Sequence, residues 1–228
     1  MKVVLSVRDL AAAYGIREVF RNVTFQVAAG QSLGVLGASG AGKTTLLRMA
    51  AGLLAPRAGE VQIGGRPPRD AMWHTPIAYF AGDATLPGSV RAAAWASLGS
   101  ADLLIPERRR IRTLSRGTRQ LLGLRTVLSR HPLELIVLDE PWEALDPDAA
   151  RWLTFTLEGK RDRGAAVVLS SHRLHDLAGV CDAYLFMLPN QTVLLQAHEI
   201  AAVGPVTTAL LTDLFDRLRG GSPLRAVS

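Results

Sequence analysis

Gly37-Ala38-Ser39-Gly40-Ala41-Gly42-Lys43-Thr44-Thr45 decides how the chain is read, because it fits the phosphate-loop pattern GxxxxGK[ST]. Glycines at 37, 40 and 42 admit backbone conformations closed to residues with a Cβ, so successive N–H groups can turn inward around phosphate oxygens. A helix expected from about residue 42 to 51 aims the positive end of its dipole at the same point. Lys43 adds a full charge able to reach the β- and γ-phosphates of a nucleotide, and Thr44 offers its hydroxyl to Mg²⁺. The run 32–36 predicts a strand feeding this cradle, which is the context the motif demands.

Working outward, Val23, Phe25 and Val27 alternate with Asn22, Thr24 and Gln26, the period of a half-buried strand, and Gly30 turns the chain out of it. On the other side, a turn at 56–59, a short strand at 60–63 and the Gly64-Gly65 turn predict antiparallel hairpins. A strand at 77–80 is followed by Ala-rich, helix-favouring sequence at 89–98 and again from 103, which places a small helical lobe at about 84–130. Beyond it strands and helices alternate: a strand at 135–138, a helix from Pro147 capped by Asp146, a strand at 165–170, a helix after His172, and strands at 183–188 and 192–195. Such alternation implies a mainly parallel sheet covered on both faces.

Leu135-Ile136-Val137-Leu138 is apolar at every position and delivers Asp139-Glu140 at its carboxyl end, where α/β folds place ligands. In that place Asp139 can hold Mg²⁺ through water, and Glu140 can orient or deprotonate an attacking water.

Composition bounds the remaining classes. The 228 residues, 48% of them hydrophobic, suffice for one substantial core. No apolar run approaches the roughly 18 residues of a membrane span, and Arg8 and Asp9 interrupt the start too early for a signal peptide, so a soluble or peripheral protein is expected. The single cysteine, Cys181, excludes an intramolecular disulfide and fits a reducing compartment as a small buried hydrophobe. A net charge of +6 suits an anionic partner. The arginines at 108, 109, 110, 112, 116 and 119 have no aromatics interleaved for base stacking and are read as a solvated face.

In the order of these motifs the chain resembles the nucleotide-binding subunits of ATP-binding cassette (ABC) transporters, over residues 1 to about 200. Between the phosphate loop and the acidic pair, the family's LSGGQ signature appears as Leu114-Ser115-Arg116-Gly117-Thr118. Arg119 and Gln120 continue it, ahead of an apolar pattern at Leu121, Leu124, Val127 and Leu128. The family's D-loop is matched by Leu145-Asp146 within the run Asp139-Glu140-Pro141-Trp142-Glu143-Ala144-Leu145-Asp146-Pro147. Trp142 and Glu143 stand there in place of the usual small residues, on the expected dimer seam. His172 matches the switch histidine that contacts the γ-phosphate, and Tyr14 the aromatic that stacks on adenine. One match fails: Ala81-Gly82-Asp83 stands where the Q-loop glutamine is expected, and the segment that follows is short.

The resemblance implies a P-loop NTPase of α/β class: a mainly parallel central sheet with helices, an antiparallel β flank and the helical lobe, as one domain over 1–200 with a tail at 201–228. It implies ATP and Mg²⁺ bound by Tyr14, Gly37, Ala38, Ser39, Gly40, Ala41, Gly42, Lys43, Thr44 and Thr45, with Thr44 and Asp139 on the metal and Glu140 and His172 catalytic. Ser115, Gly117 and Asp146 would act in trans, on the ATP of a second cassette. The expected partners are that cassette and separate transmembrane permease subunits, at the cytoplasmic face of the cell membrane. The RGTRQ form of the signature is similar to that of many exporter cassettes. The rival is a non-transport ABC ATPase acting on nucleic acid, which the basic balance permits. In the tail, Leu210, Leu211, Leu214, Phe215 and Leu218 fall at helical spacing before Gly220-Gly221, an amphipathic helix expected to pack on the cassette or on a neighbouring subunit.

Overall fold

The computed structural model describes residues 1–99, 109–130, 132–189 and 191–220. Arg108, the helix-favouring sequence at 103–108 and the tail beyond 220 lie outside them. In chain order the strands and helices are β1 (Val3–Tyr14), β2 (Arg17–Ala28), β3 (Ser32–Gly37), α1 (Lys43–Ala50), β4 (Ala58–Ile63), α2 (Pro68–Ala71) and β5 (Ile77–Phe80). Then come α3 (Ala92–Ala96), α4 (Arg116–Leu128), β6 (Leu135–Asp139), α5 (Pro147–Asp162), β7 (Ala166–Ser171) and α6 (Leu174–Leu177). The chain closes with β8 (Ala183–Met187), β9 (Thr192–Gln196), α7 (Ala197–Ala201) and α8 (Thr208–Arg219). Among the described residues the strands form two sheets, one of three in the order β2-β1-β4 and one of six in the order β5-β6-β7-β3-β8-β9. The first is antiparallel throughout, and the second is parallel except for the β8–β9 pair.

The interior strands are buried on both faces because two cores share them. Ile136 and Leu138 of β6 and Val167 and Leu169 of β7 join a core with α4, α5 and α8. Their neighbours Leu135, Val137, Ala166 and Val168 join a second core with α1 and the antiparallel sheet. Each large apolar side chain so removed from water stabilises by about 1.5–3 kcal/mol, which is why these segments carry no polar face. The starts of β3 and β8 are tied to the end of α5 by Arg161. Its guanidinium pairs with Asp182 at 2.6 Å and donates to Gly30 O and Val180 O. Cys181 lies buried beside Gly34, and burial pushes its thiol up to about 12, so it behaves as the small hydrophobe expected.

Several elements differ from expectation. The strand β1 has no clean period of two in sequence, because a bulge at Asp9, whose φ is 47°, shifts its register against both neighbours. Opposite that bulge β4 begins at Ala58 instead of 60. A Cβ on Gly59 would lie 2.4 Å from Asp9 O, so only glycine lets the two backbones approach. The Ala-rich segment yields only α3 and a 3₁₀ turn at Ser97–Gly99 in place of a helix over 89–98. The short helices α2 and α7 lack the length for a readable period.

The tail helix packs on its own cassette. Thr207 caps α8 by accepting from Leu210 N, Leu211, Leu214 and Leu218 enter the core shared with α4 and α5, and the Phe215 ring lies 6.3 Å from that of Phe186. It also contacts α6, the turn that follows His172. Leu211 is fully buried, so Leu211→Ala is expected to cost about 2–5 kcal/mol of unfolding free energy. Asp213→Ala, which breaks only an exposed ion pair with Arg217, should cost less than about 1 kcal/mol, both by urea titration.

Candidate active site

Three adjacent strands, β6, β7 and β3, end side by side, and the loops leaving their carboxyl ends build the site. From β3 the phosphate loop curls back over its own lysine. Lys43 Nζ donates to Gly37 O at 2.8 Å and to Ala38 O at 3.3 Å, and lies 3.5 Å from Glu140 Oε1. Gly42, at φ 95°, caps α1 where a Cβ would fall 2.6 Å from the Val19 side chain, so β2 presses on the loop from outside. Thr44 Oγ1 donates to Asp139 Oδ2 at 2.5 Å. These are two hard oxygen donors beside an anion cradle, the set that Mg²⁺ takes together with phosphate oxygens and water.

Glu140 leaves β6 with φ 48°, outside the range most residues adopt, and its backbone N–H is caught by Ser170 Oγ of β7 at 3.0 Å. Its carboxylate accepts from the backbone N–H of His172 at 3.1 Å, and the His172 Nδ1 lies 2.9 Å from the same oxygen. Glu140 is thus held between the lysine of one loop and the histidine of another. A cavity of about 800 Å³ opens there, lined by the phosphate loop, Glu140, His172 and Tyr14. Tyr14 is 56% exposed, and its hydroxyl lies 3.2 Å from Thr45 Oγ1.

Ser115, Gly117 and Asp146 do not line this cavity. Ser115 caps α4 by accepting from Thr118 N, and Asp146 caps α5 by accepting from Ala149 N. A Cβ on Gly117 would lie 2.4 Å from Ala144 O, so the signature helix rests on the chain's own D-loop turn. Arg116 pairs with Glu143 at 2.8 Å, joining two residues that depart from the family pattern. Trp142 is not a surface residue of the seam: it is 5% exposed and packs in the core with α4 and α5.

Gly82 sits at φ 89°, so its lack of a side chain is a backbone requirement and not only a missing glutamine. Beside it lies a residue whose role the sequence did not announce. Gln120, buried on α4, donates to Glu140 O at 3.2 Å and to Pro141 O at 3.0 Å, and its Oε1 would be 3.9 Å from a Cβ on Gly82. It bonds the signature helix to the exit of β6. A glutamine among leucines on a core-facing helix is the one signal that could have marked it.

The family model described as ABC transporter matches residues 20–143. The cytochrome c biogenesis ATP-binding export protein CcmA of Pseudomonas aeruginosa is 35% identical over 190 residues, which span 74% of this chain and 93% of the relative. The chain belongs to the ABC transporter family. An uncharacterized ABC transporter ATP-binding protein of Bacillus subtilis, YxlF, is 32% identical over 80% of the chain and 67% of its own length. The ribose import ATP-binding protein RbsA 3 of Rhizobium meliloti is 31% identical over 82% of the chain and 42% of its own. A solved ATP-binding subunit of an ABC transporter shares the fold with a TM-score of 0.79 at 23% identity, covering 94% of this chain and 99% of that one. The protein is accordingly an ABC nucleotide-binding subunit, with an α/β cassette of mainly parallel sheet, antiparallel flank and helices.

In this ABC subunit two Gly→Ala changes should act with opposite sign. At Gly82 the left-handed backbone costs an L-residue about 1–2 kcal/mol, so Gly82→Ala should destabilise and Gly82→Gln should do so as well. Gly159 lies inside α5 with open space around it, so Gly159→Ala should stabilise by about 0.5–1 kcal/mol. Urea unfolding midpoints test both.

Proposed function

We propose that this ABC subunit binds MgATP on the 37–45 loop and hydrolyses it with Glu140 as general base. Two chains would face each other head to tail at the cytoplasmic face of the membrane and drive separate transmembrane permease subunits. The observation that carries this is the placement of the Glu140 carboxylate, 3.5 Å from the phosphate-loop lysine and 2.9 Å from the His172 ring, on the wall of the cavity. A base in that position faces the point where the loop would present a γ-phosphate.

The chain's own groups supply the steps. Lys43, now spent on two loop carbonyls and Glu140, would exchange them for the β- and γ-phosphates, a stronger charge-assisted partner. That exchange releases one oxygen of Glu140 to orient the attacking water while His172 N–H keeps hold of the other. Thr44 and Asp139 would hold Mg²⁺, which neutralises developing phosphate charge when bound. The Tyr14 ring would stack on adenine. Ser115, Gly117 and Asp146, which do not line this chain's cavity, would complete the ATP site of the second chain. There the N-terminal end of α4, the positive end of its dipole, can face phosphate oxygens.

Export is favoured because the relative named as an export protein is matched over 93% of its length and the one named for import over 42%. The RGTRQ form of the signature points the same way. Among the described residues no helix is long and apolar enough to cross a membrane, which suits a subunit that borrows its pore from a partner.

Glu140→Gln is expected to lower the ATPase rate by roughly 10²–10⁴-fold while ATP still binds, and to accumulate an ATP-bound dimer on size exclusion. Lys43→Ala should instead weaken ATP binding itself in a filter or fluorescence titration. A Glu140→Gln variant that turns over like its parent removes the assigned base. Recovery of nucleic acid in place of a multi-span protein from solubilised membranes removes the transport role.

A further inference from the structure

We propose that Ser170 is a positioning residue for hydrolysis, its one hydroxyl setting both the Asp139 carboxylate and the Glu140 backbone. This role rests on the ATP-hydrolysing function proposed above. Ser170 is fully buried on β7, between Asp139 of β6 and Val35 of β3 in the sheet register. Its Oγ donates to Asp139 Oδ1 and accepts from the Glu140 N–H at 3.0 Å. An amide can only donate, so the single hydroxyl proton goes to the carboxylate, and the direction of both bonds is determined.

The consequences reach both acids. Asp139 is 6% exposed, and its other oxygen accepts from Thr44 at 2.5 Å, so the carboxylate is gripped at both ends and cannot rotate about its terminal bond. Its plane is thereby set toward the Thr44 hydroxyl. Glu140 has φ 48°, a conformation costly for a residue with a side chain, and the bond to Ser170 lies at that peptide. Were it lost, the backbone could relax and swing the carboxylate away from Lys43 and His172. The adjacent serine does something else: Ser171 Oγ donates to Asp176 Oδ2 at 2.9 Å and accepts from Arg173 N at 2.9 Å, bracing the turn after His172. Successive residues of a strand face opposite ways, so the pair serves two loops at once.

The test compares Ser170→Thr with Ser170→Val, which have the same shape and differ in the hydroxyl, alongside Ser170→Ala. Ala and Val should lower kcat by about 10- to 100-fold, the effect of losing a hydrogen bond to a charged group, with ATP affinity in EDTA changed less than about 3-fold. Thr should stay within about 3-fold of the parent. A second readout needs no turnover: the rise in melting temperature given by MgATP over ATP with EDTA should shrink in Ala and Val and persist in Thr. If Ala or Val fails to fold, Ser170→Cys, near serine in size and a weak hydrogen-bonding group, supplies the same comparison. An active parent with Thr and Val impaired alike, or with Ala unimpaired and its MgATP shift intact, overturns the role of Ser170. A parent without ATPase activity overturns the proposed function instead, and the MgATP shift then decides whether Ser170 positions Asp139.

Discussion

The site is organised by one buried ammonium. Lys43 is 7% exposed, and a charge so removed from water must be compensated or it would cost several kcal/mol. Two carbonyls of its own loop and the Glu140 carboxylate compensate it. The same three contacts hold the loop curled and link it to the residue that follows β6. They also keep the acid beside the place a phosphate would occupy. The charge of Lys43 is thus met by a carboxylate of the protein on the wall of the cavity.

That arrangement depends on which strands are neighbours. Because β7 lies between β6 and β3, its end can reach both: Ser170 bonds to the two acids leaving β6, and His172 covers Glu140 from above. The apolar run that makes β6 an interior strand also serves the chemistry, since burial on both faces leaves its carboxyl end as the one place for polar groups. Stability and function are therefore set by the same residues at the two ends of one element.

Departures from the family pattern are absorbed by local physics. Trp142 replaces a small residue and is buried in the core to which α4 and α5 also contribute. Arg125, stacked 5.0 Å over Trp152, joins the same two helices nearby. Glu143, beside the cavity, is balanced by Arg116 of the signature. At Gly82 the missing glutamine accompanies a left-handed backbone, and the polar link from the lobe to the exit of β6 is made by Gln120 from the helix side.

The sequence by itself determined what depends on neighbours along the chain. The 37–45 loop, the apolar strand ending in Asp139-Glu140, the Asp146-Pro147 helix start and the alternation in β2 are all local patterns, and each stands in the structure where its period or cap placed it. So does the tail helix, whose stripe of leucines needed only a core to meet. Tertiary structure alone decided what joins residues far apart. The bulge at Asp9 hid β1 because its register is set by two partner strands, and Trp142 is inside because it joins a core built from several distant elements. Ser170 looked like any polar residue at a strand end. It reaches Asp139, thirty-one residues earlier, because parallel pairing puts the two side by side, and a hydrogen bond made across a sheet leaves no periodic trace in either strand.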